Sequence, residues 1–241
     1  MKVAMLLLAA GRGARFGGAV PKAFLRLRGR PLLLHAAERL CAAVDGAAIA
    51  VATGNELIVV VHRDDREPYL EPCRPELEAI TGTRCRLHVV DGGASRQESM
   101  QLGLAAAAAD VDLVLVHDAA RALVPVANTS ACIAAAARTG AALLAIPATD
   151  TLKRVRELRV EATLERDSVW QAQTPQVVRR ELLQRALVAA REAGFAGTDD
   201  VSLVERLGHP VEVVLGTPGN LKITHPGDLP LAEALFDSPA R

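Results

Sequence analysis

Four glycines and three cations follow one short apolar run near the start of the chain. The run Val3–Ala10 is long enough for a buried strand. It empties into Gly11, Gly13, Gly17 and Gly18, with Arg12, Arg15 and Lys22 among them and Pro21 just before the lysine. Glycine lets backbone N–H groups approach ligand oxygens with no Cβ in the way, and the cations neutralise phosphate charge. The chemistry this spacing offers is phosphate binding at the end of a strand. Two better-known loops do not fit it. The dinucleotide pattern GxGxxG matches Gly11 and Gly13 but meets Phe16 at its third glycine, and the Walker pattern matches Gly13 and Gly18 but continues with Ala19 and Val20. The competing reading is an ordinary strand-to-helix turn with solvated arginines.

Two further stretches carry polar residues in patterns with chemical meaning. DGGASRQESM at 91–100 has Ser95 and Glu98 at capping-box spacing, which starts a helix expected to run to Ala109. Gly92 and Gly93 before it bring backbone close to a ligand at that helix start. Arg96 is expected exposed in the first turn, where a cation works against the helix dipole. HDAAR at 117–121 follows the strand Leu113–Val116, so Asp118 lies at a strand's carboxyl end, where open α/β sheets bind ligands. Asp118 reads either as a ligand to a ribose hydroxyl or a metal, or as a cap of the next turn, with His117 a packed core histidine. No GxSxG, CxxC or HExxH pattern is present.

The elements that must position these groups alternate between strand-like apolar runs and helical periodicity, as in a parallel sheet flanked by helices. Strands are expected at Val3–Ala9, Leu57–Val61, Leu87–Val90, Leu113–Val116, Ala141–Pro147 and Val211–Leu215. Helices are expected after Pro31, over Arg179–Ala193, and from a Thr198 cap with Asp199 and Asp200 in an acid-rich first turn. The prolines Pro68, Pro72 and Pro75 break up the region between two strands, and 47–56 reads as a strand edge or an insertion. Ala148–Val169 is dense in charge, and Val160, Ala162 and Leu164 alternate as in a half-exposed strand. A β-hairpin arm fits it. A two-stranded ribbon alone in water is marginal, so a second copy of the chain is the obvious surface for it.

The chain has 241 residues, enough for one large α/β domain over 1–241, with 148–169 the arm within it. Half the residues are hydrophobic and only 2% aromatic, so the core is expected to be Leu, Val and Ala. Lys+Arg and Asp+Glu are 28 each, and a neutral chain has no global field for nucleic acid or an anionic membrane. The eight-residue run at Val3–Ala10 is too short for a membrane span, which needs about 20 apolar residues. Cys41, Cys73, Cys85 and Cys132 are scattered in apolar or mixed settings and read as reduced thiols, which points to the cytoplasm.

The stretch LLLAAGRGARFGGAVPK resembles the AAGxGxRxxxxxPK signature of nucleoside-diphosphate-sugar pyrophosphorylases, on Ala9, Ala10, Gly11, Gly13, Arg15, Pro21 and Lys22. Within that superfamily, DGGxxR…S and HDAAR resemble the 2-C-methyl-D-erythritol 4-phosphate cytidylyltransferases and their close relatives, with Ala122 where the family usually has proline. DTxK at Asp150, Thr151 and Lys153, TPQ at 174–176, TDxxS from Thr198 and NLKIT at 220–224 continue the likeness to Leu235. The resemblance implies a Rossmann-like, mostly parallel sheet flanked by helices, with the arm projecting as a dimerisation element. It implies transfer of CMP from CTP to an acceptor phosphate, with Mg²⁺ bridging the triphosphate and Asp118 its candidate ligand. Arg15 and Lys22 are then the transition-state cations, above the Gly11–Gly13 backbone. Gly93 and Ser99 border the cytosine, Arg96 the sugar-phosphate end, and Asp118 and Ala119 the nucleotide. Arg166 and Lys222 hold the attacking phosphate, with Arg121 and Lys153 in secondary roles and Thr174 and Thr198 as ligand contacts. Thr151 and Arg166 serve the neighbour's site in a homodimer. The same features fit a ribitol-5-phosphate cytidylyltransferase, and a non-catalytic nucleotide-binding regulator on the same fold is the reading from another class. A hydride-transfer enzyme is disfavoured by Phe16. The length leaves no room for a fused cyclase domain.

Overall fold

A computed structural model describes residues 1–11, 20–47 and 54–237. In chain order the elements are β1 (Val3–Leu8), β2 (Arg26–Leu27), β3 (Arg30–Pro31), α1 (Leu32–Asp45), β4 (Asn55–Val61) and α2, a single turn at Arg63–Asp65. There follow α3 (Arg74–Thr81), β5 (Cys85–Asp91), α4 (Arg96–Ala106), β6 (Leu113–Asp118), α5 (Val126–Thr139) and β7 (Ala141–Pro147). The chain closes with β8 (Lys153–Arg156), β9 (Arg159–Thr163), β10 (Trp170–Arg179), α6 (Arg180–Glu192), α7 (Val201–Glu205), β11 (Glu212–Leu215) and α8 (Asp228–Asp237).

Seven strands make the main sheet in the order β11-β7-β10-β6-β1-β4-β5. All neighbours run parallel except β10, which is antiparallel to both β6 and β7. Helices cover both faces, so the central strands are buried on both sides and read as continuous apolar runs. Alternation within β1 feeds two cores. Val3, Met5 and Leu7 pack toward α1, α3 and α5, whereas Ala4 and Leu6 pack toward α4, α6 and α7. A third small cluster joins Leu27, Leu32, Ala122, Ile223 and Ala232. Ala122 thus sits in a packed position, and Ile223 N–H donates to Ala120 O at 2.9 Å, tying the NLKIT segment to the end of β6.

The arm is a separate antiparallel pair, β8 with β9. Several expectations need correction. The helix after Ser95 stops at Ala106 because Ala107 turns to an extended conformation. The Pro68–Pro75 region is not broken into loop but winds through consecutive short helical turns, with Pro72 and Pro75 at first-turn positions where their missing N–H groups cost nothing. Strand β6 runs on through His117 and Asp118. Thr198 is exposed and does not cap α7; the Asp199 carboxylate takes that role, accepting from Ser202 N–H at 3.0 Å.

Candidate active site

Leu8, Val61, Asp91 and Asp118 end adjacent parallel strands, and the segments that leave them enclose a crevice of about 610 Å³. Strand-like bonding continues past the strand ends: Ala9 N–H donates to Val60 O at 2.7 Å and Ala119 N–H to Leu8 O at 3.0 Å. The first wall is Ala9, Ala10, Gly11 and Lys22. Lys22 stands in a helical turn over Lys22–Phe24, and Phe24 anchors that turn by stacking on Tyr69. Gly13 and Arg15 lie outside the described residues.

The second wall is the start of α4. Ser95 Oγ accepts from Glu98 N–H at 3.0 Å, and Glu98 reaches back to Ala94 N–H at 2.7 Å, a capping box shifted by one residue. Ser99 Oγ accepts from Gly93 N–H at 3.1 Å and donates to Ser95 O at 2.9 Å. Gly93, Arg96 and Ser99 all line the crevice. A Cβ on Gly92 would stand 2.3 Å from the Ala10 Cβ, so the two walls meet there and only glycine fits.

The floor is a charged cluster on Asp118. Lys222 Nζ donates to its Oδ2 at 2.6 Å and Arg96 Nε to its Oδ1 at 3.1 Å. Arg96 then forks onto Asp200, with both contacts at 2.9 Å. Asp200 is only 1% exposed, and its backbone is held by Gln176, whose Oε1 accepts from Asp200 N–H and Val201 N–H. Arg96 is therefore not the exposed first-turn residue its sequence suggests; two carboxylates draw it inward. Burial opposes ionisation of Asp118, but Arg96 and Lys222 outweigh it and hold the carboxyl well below the usual range. Burial also opposes the charge on Arg96, and Asp200 and Asp118 outweigh it and raise that pKa. At Asp200, burial pushes the carboxyl up, and the Arg96 fork keeps it from rising further.

Beneath this cluster lies a neutral relay. His117 Nε2 is 3.1 Å from Arg121 O. A carbonyl can only accept, so Nε2 carries the ring proton. His117 Nδ1 then accepts from the Thr174 hydroxyl at 3.1 Å, and the Thr174 oxygen accepts from Asp118 N–H at 3.2 Å. Burial lowers the His117 pKa to about 4, consistent with a neutral ring.

The expected site residues therefore divide. Ala9, Ala10, Gly11, Lys22, Gly93, Arg96, Ser99, Asp118 and Lys222 come together on the crevice. Ala119 is fully buried and faces the core, and Ala120 takes its place on the lining. Thr174 is buried beneath Asp118, its hydroxyl already engaged, so it supports the site rather than facing it. Arg121 lies behind the lining, donating to Asn220 O at 2.6 Å, and burial lowers its pKa. Thr198 does not reach the lining. Thr151, Lys153 and Arg166 stand on or beside the arm, exposed and off the crevice of their own chain. Lys153 Nζ donates across the hairpin to Thr163 Oγ1 at 2.7 Å, and Arg166 Nη1 to Thr149 O at 3.3 Å. Sequence reading missed Asp200, Gln176 and His62, which also lines the crevice. For Asp200 the one available signal was an acid in a helix first turn, which capping already explained.

A crevice of backbone and cations at the carboxyl ends of a mostly parallel sheet defines the nucleotide-binding class of α/β proteins. The chain belongs to the 2-C-methyl-D-erythritol 4-phosphate cytidylyltransferase family, whose model matches residues 3–238. It is 42% identical over 243 residues to the enzyme of that name from Solibacter usitatus, covering 96% of this chain and 94% of that one. The Acidobacterium capsulatum enzyme is 41% identical, with 96% of each chain covered. The crystal structure of the Thermus thermophilus enzyme superposes with a TM-score of 0.74 at 36% identity, covering 99% of this chain and 100% of that one.

Proposed function

We propose that this chain transfers CMP from CTP to 2-C-methyl-D-erythritol 4-phosphate, a step of isoprenoid precursor synthesis that releases pyrophosphate. The observation that carries the reading is one crevice in which Lys22 and the Ala9–Gly11 backbone face the Lys222–Asp118–Arg96 row. An oxygen of the acceptor phosphate attacks the α-phosphorus of CTP in line. A P–O bond forms there, the bond to the α,β-bridging oxygen breaks, and its electron pair leaves with pyrophosphate. A phosphate monoester is already ionised, so no side chain need remove a proton. What remains is positioning two anions and stabilising charge on the leaving group.

Lys22 stabilises that charge, with the Gly11 backbone below the triphosphate and Arg15 of the same loop assigned the same role. Gly93 and Ser99 border the base, and Arg96, locked by Asp200, orients the sugar-phosphate end. Lys222 holds the acceptor phosphate together with Arg166. Arg166, with Thr151, serves the crevice of a second copy, and Lys153 takes a secondary role, in a homodimer built on residues 148–169 of a single 1–241 domain.

A divalent ion riding on a triphosphate asks little of the protein. Asp118 is the only carboxylate on the described lining, and no group of three potential metal-binding side chains occurs among the described residues. Asp118 would hold Mg²⁺ there, and the bound ion would neutralise phosphate charge. No described helix is long and apolar enough to cross a membrane. The four cysteines are free and buried, in keeping with a reducing cytoplasm.

The test is pyrophosphate release with CTP and Mg²⁺, offering methylerythritol 4-phosphate and ribitol 5-phosphate in parallel. Release with the first alone is expected. Release with the second alone would reassign the acceptor, and silence with both despite tight CTP binding would favour a regulator.

A further inference from the structure

The opposite end of the sheet carries a second cavity, of about 480 Å³. Four guanidinium groups line it: Arg138 in the last turn of α5, Arg179 at the end of β10, and Arg180 and Arg185 on α6. The His209 ring stands beside them. Against these the lining sets two carboxylates, Asp112 and Glu181, and Asp112 already accepts from Lys2 N–H at 2.7 Å. Arg138 is engaged by Glu212 at 2.6 and 2.8 Å. Arg179 and Arg180 spend one nitrogen each on backbone carbonyls, those of Ala137 and of Ala107 and Ala108, which leaves most of their five donors apiece uncommitted. Arg185 makes no ion pair or hydrogen bond among the described residues.

This crowding of cations runs against the local field. Helix α6 is 13 residues long, and its N-terminus opens on the cavity. Acidic residues are what such a terminus favours; Glu181 supplies one in the first turn, yet Arg179 and Arg180 stand ahead of it and Arg179 supplies no side-chain cap. An anion in the cavity would answer both features at once, accepting from the guanidinium forks and lying at the positive end of the helix.

We infer that this cavity binds a compact, multiply charged phosphate-class anion, at a site separate from the crevice where CTP is proposed to react. Among the described lining residues charged groups predominate, and His209 is the one ring, with no Phe, Tyr or Trp on which a base could stack. That chemistry selects an inorganic phosphate anion or a small phosphate ester over a nucleoside.

Calorimetric titration of the purified chain with inorganic pyrophosphate, and separately with ribose 5-phosphate, tests it. The expected result is pyrophosphate binding that survives Lys22→Ala but weakens at least about tenfold in Arg179→Ala/Arg185→Ala. Turnover with CTP should be unchanged in that double variant. Ribose 5-phosphate binding with the same sensitivity would identify esters as ligands, and its absence would restrict the site to inorganic anions. Arg185→Ala alone, at an exposed and uncontacted position, guards against a folding defect in the double variant and should weaken binding in the same direction. Pyrophosphate binding that is absent from Lys22→Ala, or undiminished in both arginine variants, overturns the inference.

Discussion

At Asp118 and along the arm the chain places charges of the same kinds and treats them oppositely. Around Asp118, Arg96, Asp200 and Lys222 arrive from three other parts of the sequence, with contacts of 2.6–3.1 Å. Along β8 and β9, lysine, arginine and glutamate side chains stand in water, and Val155, Leu158 and Val160 are exposed beside them. The first region is finished within one chain. The second is not, because a ribbon with its apolar residues outside has no reason to hold its shape alone. The difference teaches where preorganisation resides: the Asp118 cluster is closed by contacts within one chain, while in the proposed homodimer the arm's residues would take their surroundings from a second copy.

The largest expected effect breaks the crevice at its cation. Lys22→Ala should fold normally, since the side chain lines the crevice rather than the core. It should cost about 10²–10³ in kcat/KM, measured by pyrophosphate release. A variant with near-native turnover would remove Lys22 from the chemistry. Next is the arm. Arg166→Ala should lower kcat/KM by about 10–10², the value of a charge-assisted contact to the acceptor phosphate, with no change in melting temperature. Mixing Lys22→Ala with Arg166→Ala protein sharpens the comparison. If each crevice takes its Arg166 from a partner, half the dimers are hybrids with one intact site, and about a quarter of native activity returns. Two inactive variants that stay inactive when mixed would place both residues in one chain's site.

The buried half of the comparison has a pH signature. In the unfolded chain His117 takes up a proton near its ordinary 6.5, while the folded ring waits until about 4. Between those values the unfolded chain binds more protons, so stability falls as pH falls. His117 should contribute a loss of about 2 kcal/mol between about pH 7 and pH 5, read from denaturant midpoints. His117→Gln should remove that part of the slope, even if its stability at neutral pH is lower. An unchanged slope would mean the folded ring takes up its proton at the same pH as the unfolded one.

Much of this was legible in advance, for physical reasons. Parallel strands buried on both faces must be apolar throughout, which is why Ala141–Pro147 and the β1 run stood out. Ser95 and Glu98 act within one helical turn, so their spacing alone revealed the cap. The Asp118 cluster was only half legible. Asp118 and Lys222 could be singled out, yet their contact spans 104 positions, as does that of Arg96 with Asp200, and no local pattern encodes such a pairing. Thr174 and Thr198 show the reverse error. A hydroxyl in a motif looks like a ligand contact, but only burial tells that Thr174 faces His117 and that Asp199, not Thr198, caps the helix.

The smallest effect separates the arm's own stability from what it packs on. Its turn is two residues, Glu157 and Leu158, both with positive φ (47° and 61°). That conformation suits Asn-Gly far better than Glu-Leu. Glu157→Asn/Leu158→Gly should therefore stabilise the hairpin locally by about 0.5–1 kcal/mol, seen as slower amide exchange in β8 and β9. Leu158 is 100% exposed, so within one chain nothing is lost by removing it. Two outcomes then divide cleanly by light scattering and activity. If the double variant exchanges more slowly and remains a dimer, the leucine serves no contact and the tip is tolerated as it stands. If exchange slows but the dimer weakens and Arg166-dependent activity falls with it, Leu158 is held in a strained turn because a second copy covers it. The second outcome is expected, since a fully exposed leucine at a strained position gains nothing from its own chain.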